Sequence, residues 1–172
     1  MKKIIITVAV LVAIYFLIPS KKMETENIIP IGKNAFINFI LPSAKMIEKK
    51  YKIPYKFIIA QLGLETAWGK SSLTQRAFNF AGIKARTGEP FIEMMTKEFL
   101  NGKMVEIPQK FWRGSNIIEG LEKYVKVLLL PRYKEAFKYT DPEKFAIEIK
   151  KGGYATDPNY VSKLKNIFPS IP

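Results

Sequence analysis

The sequence contains no cysteine and no histidine. Their absence excludes disulfides, thiol nucleophiles, imidazole bases, His-dependent triads and the usual zinc sites. Hydrolytic chemistry would have to rest on carboxylates, hydroxyls, lysines or tyrosines, with no metal and no cofactor expected. Acidic residues are also few: 15 Asp+Glu stand against 28 Lys+Arg, a formal net charge of +13. Such an excess favours an anionic partner or surface. The lysines are spread along the chain, with only short pairs such as Lys49-Lys50 and Lys150-Lys151. No helix-turn-helix, zinc finger or RNP-like string accompanies them, so no nucleic acid is expected as partner. What is present is 172 residues, 48% hydrophobic and 13% aromatic. That is enough for one domain with a real core. No internal repeat or low-complexity tract interrupts it.

The N-terminus stands apart. Residues 4–18 form an uncharged run, IIITVAVLVAIYFLI, between Lys2-Lys3 and Lys21-Lys22. As a helix it would extend roughly 22 Å, short of a hydrocarbon core of about 30 Å unless flanking residues help. Either a signal peptide or a short anchor fits. The run ends in Leu17-Ile18-Pro19-Ser20 without an Ala-x-Ala cleavage pattern, which favours an uncleaved N-terminal anchor contacting the lipid bilayer. The expected organisation is therefore residues 1–22 as membrane anchor or signal segment, 23–33 as linker, and 34–172 as the domain. Pro42 is read as the first turn of a helix running to Tyr51, with Ala44, Ile47 and Tyr51 inward.

The most informative stretch is QLGLETAWGKSSLTQRAFNFAGIKA, Gln61 to Ala85. Read as a helix opening at Pro54 and closed by Gly69, it stacks Ile58, Gln61, Glu65 and Trp68 on one side. Glu65 is thereby set among apolar and aromatic neighbours. Burial disfavours the charged form, which is how a glutamic acid becomes a proton donor near neutral pH. The ordinary alternative is a glutamate at the edge of a core helix, paired with a lysine. Ser71-Ser72 then caps a short helix through Phe78. At Asn79-Phe80-Ala81-Gly82, the glycine permits either a close backbone approach to a ligand or a plain helix C-terminal turn.

Met94–Leu100 and Lys103–Ile107 flank Asn101-Gly102, a strong signal for a type I′ hairpin. The two-residue loop sets the register, pairing Leu100 with Lys103, Glu98 with Val105, Lys97 with Glu106 and Thr96 with Ile107. Lys97 and Glu106 satisfy one another. Glu98 shares its face with Thr96, Leu100, Val105 and Ile107, where no base answers it. An acid so placed either lies at a solvent edge or points into a site.

Asn116 and Glu119 then form a capping box for a helix with Ile118, Leu121, Val125 and Leu128 on its core face, ended by Pro131. Asp141-Pro142 opens another helix, with Phe145, Ala146 and Ile149 inward, closed by Gly152-Gly153. Asp157-Pro158 repeats the device for a last helix carrying Val161, Leu164 and Phe168. Tyr154 lies in the loop between them, a position more often used for packing than for chemistry.

Five segments together carry a resemblance: AQLGLETAWGKS (Ala60 to Ser71), NFAGIKA (Asn79 to Ala85), TKEFLNGK (Thr96 to Lys103), FWRGS (Phe111 to Ser115) and GYATDPNY (Gly153 to Tyr160). In order and kind they are similar to the signature blocks of family seventy-three of the glycoside hydrolases, the peptidoglycan-cleaving N-acetylglucosaminidases. One departure is Glu65-Thr66-Ala67-Trp68-Gly69, where the family often has Glu-Ser-x-Trp-Gly.

The resemblance implies a lysozyme-like fold, α+β and mainly helical, with a small β-hairpin lobe, preceded here by the N-terminal hydrophobic helix. It implies catalytic roles for Glu65 as general acid, for Glu98 as second carboxylate and for Tyr154. It makes Trp68, Asn79, Phe80, Gly82 and Tyr160 substrate-binding. Glycan strands of peptidoglycan would be the substrate and the domain would stand on the wall side of a membrane. The owner could equally be a bacterium remodelling its wall or a phage carrying a virion-associated lysin. A lytic transglycosylase and an inactive wall-binding module are the alternatives.

Overall fold

The structure is a computed structural model that describes residues 29–100 and 103–172, with the side chains of 97–100 excepted. The expected anchor, residues 23–28 of the expected linker, and the Asn101-Gly102 turn lie outside the described residues. Among the described residues no helix is long and apolar enough to cross a membrane.

Helix α1 spans Lys33–Tyr51 and buries Phe36, Ile37, Ile40, Ala44 and Ile47. Those residues recur at helical spacing, so one stripe faces the core. The helix starts nine residues before Pro42, which lies inside it and not at its first turn. A proline here removes one backbone donor, leaving the carbonyl one turn earlier without its bond. Both Pro42 and Asn38 are exposed, so water can satisfy that carbonyl. Of the three residues expected inward, Ala44 and Ile47 are buried and Tyr51 is half-buried. The helix stops at Lys52 in the left-handed region, φ 62°, its N–H bonded to the Glu48 carbonyl at 2.8 Å. Residues 29–32, placed by the sequence in the linker, pack against the domain: Ile29 is buried, and the Gly32 N–H donates to the Trp68 carbonyl at 3.0 Å.

Helix α2, Tyr55–Glu65, is the centre of the fold. Phe57 through Gly63 are all buried, and a helix apolar all round belongs in the middle of a core. It packs against α1 and against the two helices and the final turn that close the chain. The helix ends at Glu65 and not at Gly69. The Thr66 hydroxyl donates to the Leu62 carbonyl at 2.7 Å and accepts from the Gly69 N–H at 3.0 Å, while the Trp68 N–H reaches back to the Gly63 carbonyl at 2.8 Å. Ala67 and Trp68 take φ values of 48° and 58° and Gly69 takes 82°. Three successive left-handed residues cannot continue a right-handed helix. Helix α3, Ser72–Ala77, follows, its Ser71 side chain accepting from the Thr74 N–H as expected.

Strands β1 (Phe91–Leu100) and β2 (Lys103–Trp112) form a two-stranded antiparallel sheet. Its register is the expected one, Glu98 opposite Val105 and Thr96 opposite Ile107. The strands are longer than the sequence signal because pairing continues to Phe91 and Trp112. At this base the hairpin is fastened to the body. The Trp112 N–H donates to the Ile83 carbonyl at 2.9 Å and the Gly114 N–H to the Ala77 carbonyl at 2.8 Å. Lys123 lies over the Trp112 ring at 5.3 Å and pairs with Glu89 at 2.5 Å.

Helix α4, Ile117–Leu128, is capped by the Asn116 side chain, with Glu119 reaching back to the Ser115 N–H at 2.8 Å. Beyond it Pro131 does not merely stop a helix but begins a 3-10 helix, Pro131–Lys138, which supplies the buried Tyr133 and Ala136. Helix α5, Pro142–Lys151, has the expected Asp141 cap and buries Phe145, Ala146 and Ile149. Helix α6, Tyr160–Lys165, begins later than Asp157-Pro158 suggests. Asp157 accepts from the Asn159 N–H at 2.8 Å and from Lys163 at 2.7 Å, so it organises a turn ahead of the helix. Phe168 falls in a final 3-10 turn, Phe168–Ser170.

Close packing at Gly120 gives a test of this arrangement. A Cβ added there would lie 2.1 Å from the Phe78 carbonyl oxygen and 2.7 Å from the Phe80 ring. Gly120→Ala is expected to destabilise the domain by roughly 1–3 kcal/mol, as overpacking does. In urea it should lower the unfolding midpoint with little change in slope.

Candidate active site

Glu65 is the last residue of α2, carried to the surface by a helix that is otherwise enclosed. Glu65 is exposed, yet protein flanks it closely enough that partial desolvation raises its carboxyl from the ordinary glutamate value. Loss of part of a hydration shell is sufficient for this, because the ion loses more than the neutral acid. Among the described residues Glu65 has no basic partner, and the lysine pairing that would make it an ordinary surface glutamate is not seen there.

One turn earlier on the same helix, Gln61 is fully buried. Its Nε2 donates to the Tyr160 hydroxyl at 2.7 Å, and its Oε1 accepts from the hydroxyl of Tyr124. Tyr160 in turn lies against Tyr154, ring centroids 6.1 Å apart, and Tyr154 lies against Tyr133, also at 6.1 Å. Gly153 takes φ 83°, turning the chain after α5 so that Tyr154 faces this cluster. Burial foremost, with the nearby Glu65 charge adding to it, pushes the hydroxyls of Tyr154, Tyr160 and Tyr124 well above the ordinary tyrosine range. All three stay neutral and act through hydrogen bonds, never as bases.

Tyr154 and Tyr160 therefore lie close enough to Glu65 for its charge to act on them, and Tyr160 is 6% exposed, so it supports from behind more than it contacts solvent. Glu98 stands on β1 opposite Val105; its side chain lies outside the described residues. The face it occupies is the half-buried one, shared with Ile92, Met94, Thr96, Val105, Ile107 and Gln109. The Thr96 hydroxyl on that face is buried without a hydrogen-bond partner among the described residues.

The remaining expected substrate contacts have packing or backbone roles in the fold. Trp68 is not stacked beside Glu65, because α2 ends first. Its ring covers Gly63, where an added Cβ would lie 2.4 Å away, meets Phe36 edge-on at 6.2 Å, and has Lys33 over it at 5.6 Å. Gly63 and Glu65 are about 200° apart around a helix, so Trp68 braces the far side. Asn79 is 2% exposed and spends its amide on the backbone, donating to the Ile83 and Trp112 carbonyls at 2.8 and 2.9 Å and accepting from the Ile83 N–H at 2.9 Å. It fastens the hairpin base. Phe80 is 2% exposed and packs on Gly120 in the core. Gly82 sits in an open turn at φ 61° with nothing near a built Cβ, so backbone conformation, not close approach, explains the glycine.

The structure also adds Gln61, Tyr124 and Tyr133 to the surroundings of the acid. Gln61 had a signal in the sequence: it is the one polar side chain between Phe57 and Leu64, and a buried amide must be hydrogen-bonded. Tyr124 and Tyr133 had none beyond their place among core residues.

Residues 41–171 match the glucosaminidase family model, described as mannosyl-glycoprotein endo-beta-N-acetylglucosaminidase. The chain belongs to the glucosaminidase family. It is similar to the peptidoglycan hydrolase FlgJ of Salmonella typhimurium, 31% identical over 147 residues, which cover 81% of this chain and 46% of that protein. It is also similar to the exo-glucosaminidase LytG of Bacillus subtilis, 29% identical over 150 residues, covering 84% and 52%. The chain thus spans about half the length of these curated relatives.

Among solved structures, a glycoside hydrolase domain of Salmonella typhimurium FlgJ superposes with a TM-score of 0.68 at 29% identity, covering 81% of this chain and 97% of that one. The catalytic domain of the Listeria monocytogenes autolysin Auto gives 0.73 at 26%, covering 98% and 97%. The glucosaminidase domain is accordingly a helix-rich α+β, lysozyme-like glycosidase fold with a two-stranded sheet.

The raised Glu65 carboxyl bears on stability with a definite sign. The native state holds this proton more tightly than the unfolded chain, so the domain loses stability as pH rises from the unfolded value through the folded one. Glu65→Gln removes that liability. The variant is expected to melt at a higher temperature than the parent near pH 7, with the difference shrinking to nothing at about pH 4 and below. A calorimetric series showing no gain at neutral pH would contradict the desolvation of Glu65.

Proposed function

We propose that this chain hydrolyses the β-1,4 bond after N-acetylglucosamine in the glycan strands of peptidoglycan, without metal or cofactor. The observation that carries the reading is Glu65, an acid desolvated at the end of the buried helix and bordered by neutral tyrosines. Its raised proton affinity suits a general acid that protonates the glycosidic oxygen as the bond breaks. Glycoside hydrolysis ordinarily needs a second carboxylate across the bond. Glu98 would supply it from the hairpin, on the strand face it shares with Thr96, Val105 and Ile107, either activating water or stabilising the oxocarbenium-like state.

Tyr154, neutral and half-buried beside Glu65, offers a hydroxyl to the sugar or the developing charge. The names of the relatives, a peptidoglycan hydrolase and an exo-glucosaminidase, support this substrate class. The apolar run at residues 4–18 fits an anchor that keeps the domain on the wall side of a membrane, near its polymeric substrate.

Glu65→Gln is expected to lower the rate of digestion of purified wall by roughly a hundredfold or more while the fold is retained, and Glu98→Gln to reduce it markedly. The parent's rate should fall as pH rises through the Glu65 value, since the acid must carry its proton. Products should bear reducing ends. Anhydro-muramyl ends would overturn hydrolysis in favour of a transglycosylase, and full activity in Glu65→Gln would overturn the general-acid assignment.

A further inference from the structure

Gln61 is wholly enclosed, yet it makes no backbone contact that α2 requires. Its amide instead joins two hydroxyls brought by different elements, Tyr124 from α4 and Tyr160 from α6. Such an amide has a fixed polarity. Because the oxygen accepts from Tyr124, it is the nitrogen that donates to Tyr160. The Tyr160 oxygen is then occupied as an acceptor, which leaves its own proton to be given elsewhere. Tyr160 is 6% exposed, so little bulk water reaches it. Its neighbours are the Tyr154 ring, 6.1 Å away between centroids, and Glu65, whose charge acts on it and which follows Gln61 by four residues and therefore lies on the same helix face.

We propose that Gln61 is a positioning residue for the general acid: its amide orders the chain Tyr124 to Gln61 to Tyr160 so that a hydroxyl proton is directed at the Tyr154–Glu65 side of the site, and it holds the Tyr160–Tyr154 pair in register with Glu65.

This rests on the assignment of Glu65 as general acid. It explains why a core otherwise built from apolar side chains keeps a polar one at this depth, where an unmet amide would be costly. Among the described residues, the ionisable groups that feel the Glu65 charge are Tyr124 from α4, Tyr154 from the loop after α5 and Tyr160 from α6. A hydroxyl donor brought to the carboxylate would favour its charged form and oppose part of the desolvation. Removing the ordering amide should therefore raise the proton affinity of Glu65 further.

The test uses the full chain on purified wall, with kcat, KM and pH profile measured for Gln61→Met, which keeps the volume and removes both hydrogen bonds, and for Tyr160→Phe, which keeps the ring and removes the hydroxyl. Each is expected to lower kcat about five- to tenfold with KM little changed, the scale of one lost oriented hydrogen bond. In each the alkaline limb of the profile should move to higher pH, and the double variant should be no worse than the singles.

If Gln61→Met loses only thermal stability, with parental kcat and an unmoved limb, Gln61 is structural and the proposal fails. A limb displaced to lower pH, or additive losses in the double variant, overturns it as well. Should Gln61→Met fail to fold, Tyr160→Phe alone decides by the same criteria. Glu65→Gln run alongside separates the two readings. An inactive Glu65→Gln beside a parental Gln61→Met overturns the positioning role alone, whereas an active Glu65→Gln overturns both.

Discussion

Helix α2 turns no face to water from Phe57 to Gly63, and the neighbours that enclose it must therefore meet each of its polar groups from within the protein. That constraint reaches outward in two directions. At Gln61 it obliges α4 and α6 to bring tyrosine hydroxyls inward, and at Thr66 it obliges the side chain to close the helix on itself. The helix cannot lengthen past Glu65, because Ala67, Trp68 and Gly69 reverse the hand of the backbone. An acid is thus left at the point where the most deeply buried element meets the surface. Desolvation of its carboxyl follows from that placement and needs no dedicated charge partner.

The proposed second half of the site is built on a different principle. The hairpin owes little to the core and is defined by its own pairing, from Phe91 opposite Trp112 to Leu100 opposite Lys103. What ties it to the helical body is concentrated at one end: Asn79 bridging two carbonyls, the Lys123–Glu89 pair, and the Trp112 ring beneath Lys123. One candidate carboxylate is fixed by core packing and the other is presented by a ribbon. The ribbon is fastened through Asn79 and Trp112, both buried.

Local signals in the sequence were enough for the hairpin register, the Ser71, Asn116 and Asp141 caps and the core faces of α4 and α5. Each depends on residues within a few positions of one another. The start of α1 was hidden because Pro42, usually a first-turn residue, is tolerated on an exposed face. The end of α2 was hidden because the glycine that marked the stop, Gly69, is the last residue of a left-handed turn that had already begun at Ala67. Trp68, Asn79 and Phe80 were legible as a block but not as individual roles. A tryptophan that braces Gly63 and an asparagine that ties down a strand carry the same letters as sugar contacts. The tyrosine cluster depends on Gln61 meeting residues 63 and 99 positions away, and no local pattern contains that information.

The clamp at the hairpin base also sets a lever. Glu98 lies seven residues from Phe91, about 23 Å along the ribbon at roughly 3.3 Å per residue. A pivot of only about 5° at the Lys123–Glu89–Trp112 junction would swing the Glu98 backbone by about 2 Å. That displacement is comparable with the gap between the carboxyl spacings, about 5–5.5 Å and about 6.5–9.5 Å, that divide retaining from inverting glycosidases. If the two carboxylates flank the bond as proposed, the stiffness of that junction would govern how wide the jaws stand.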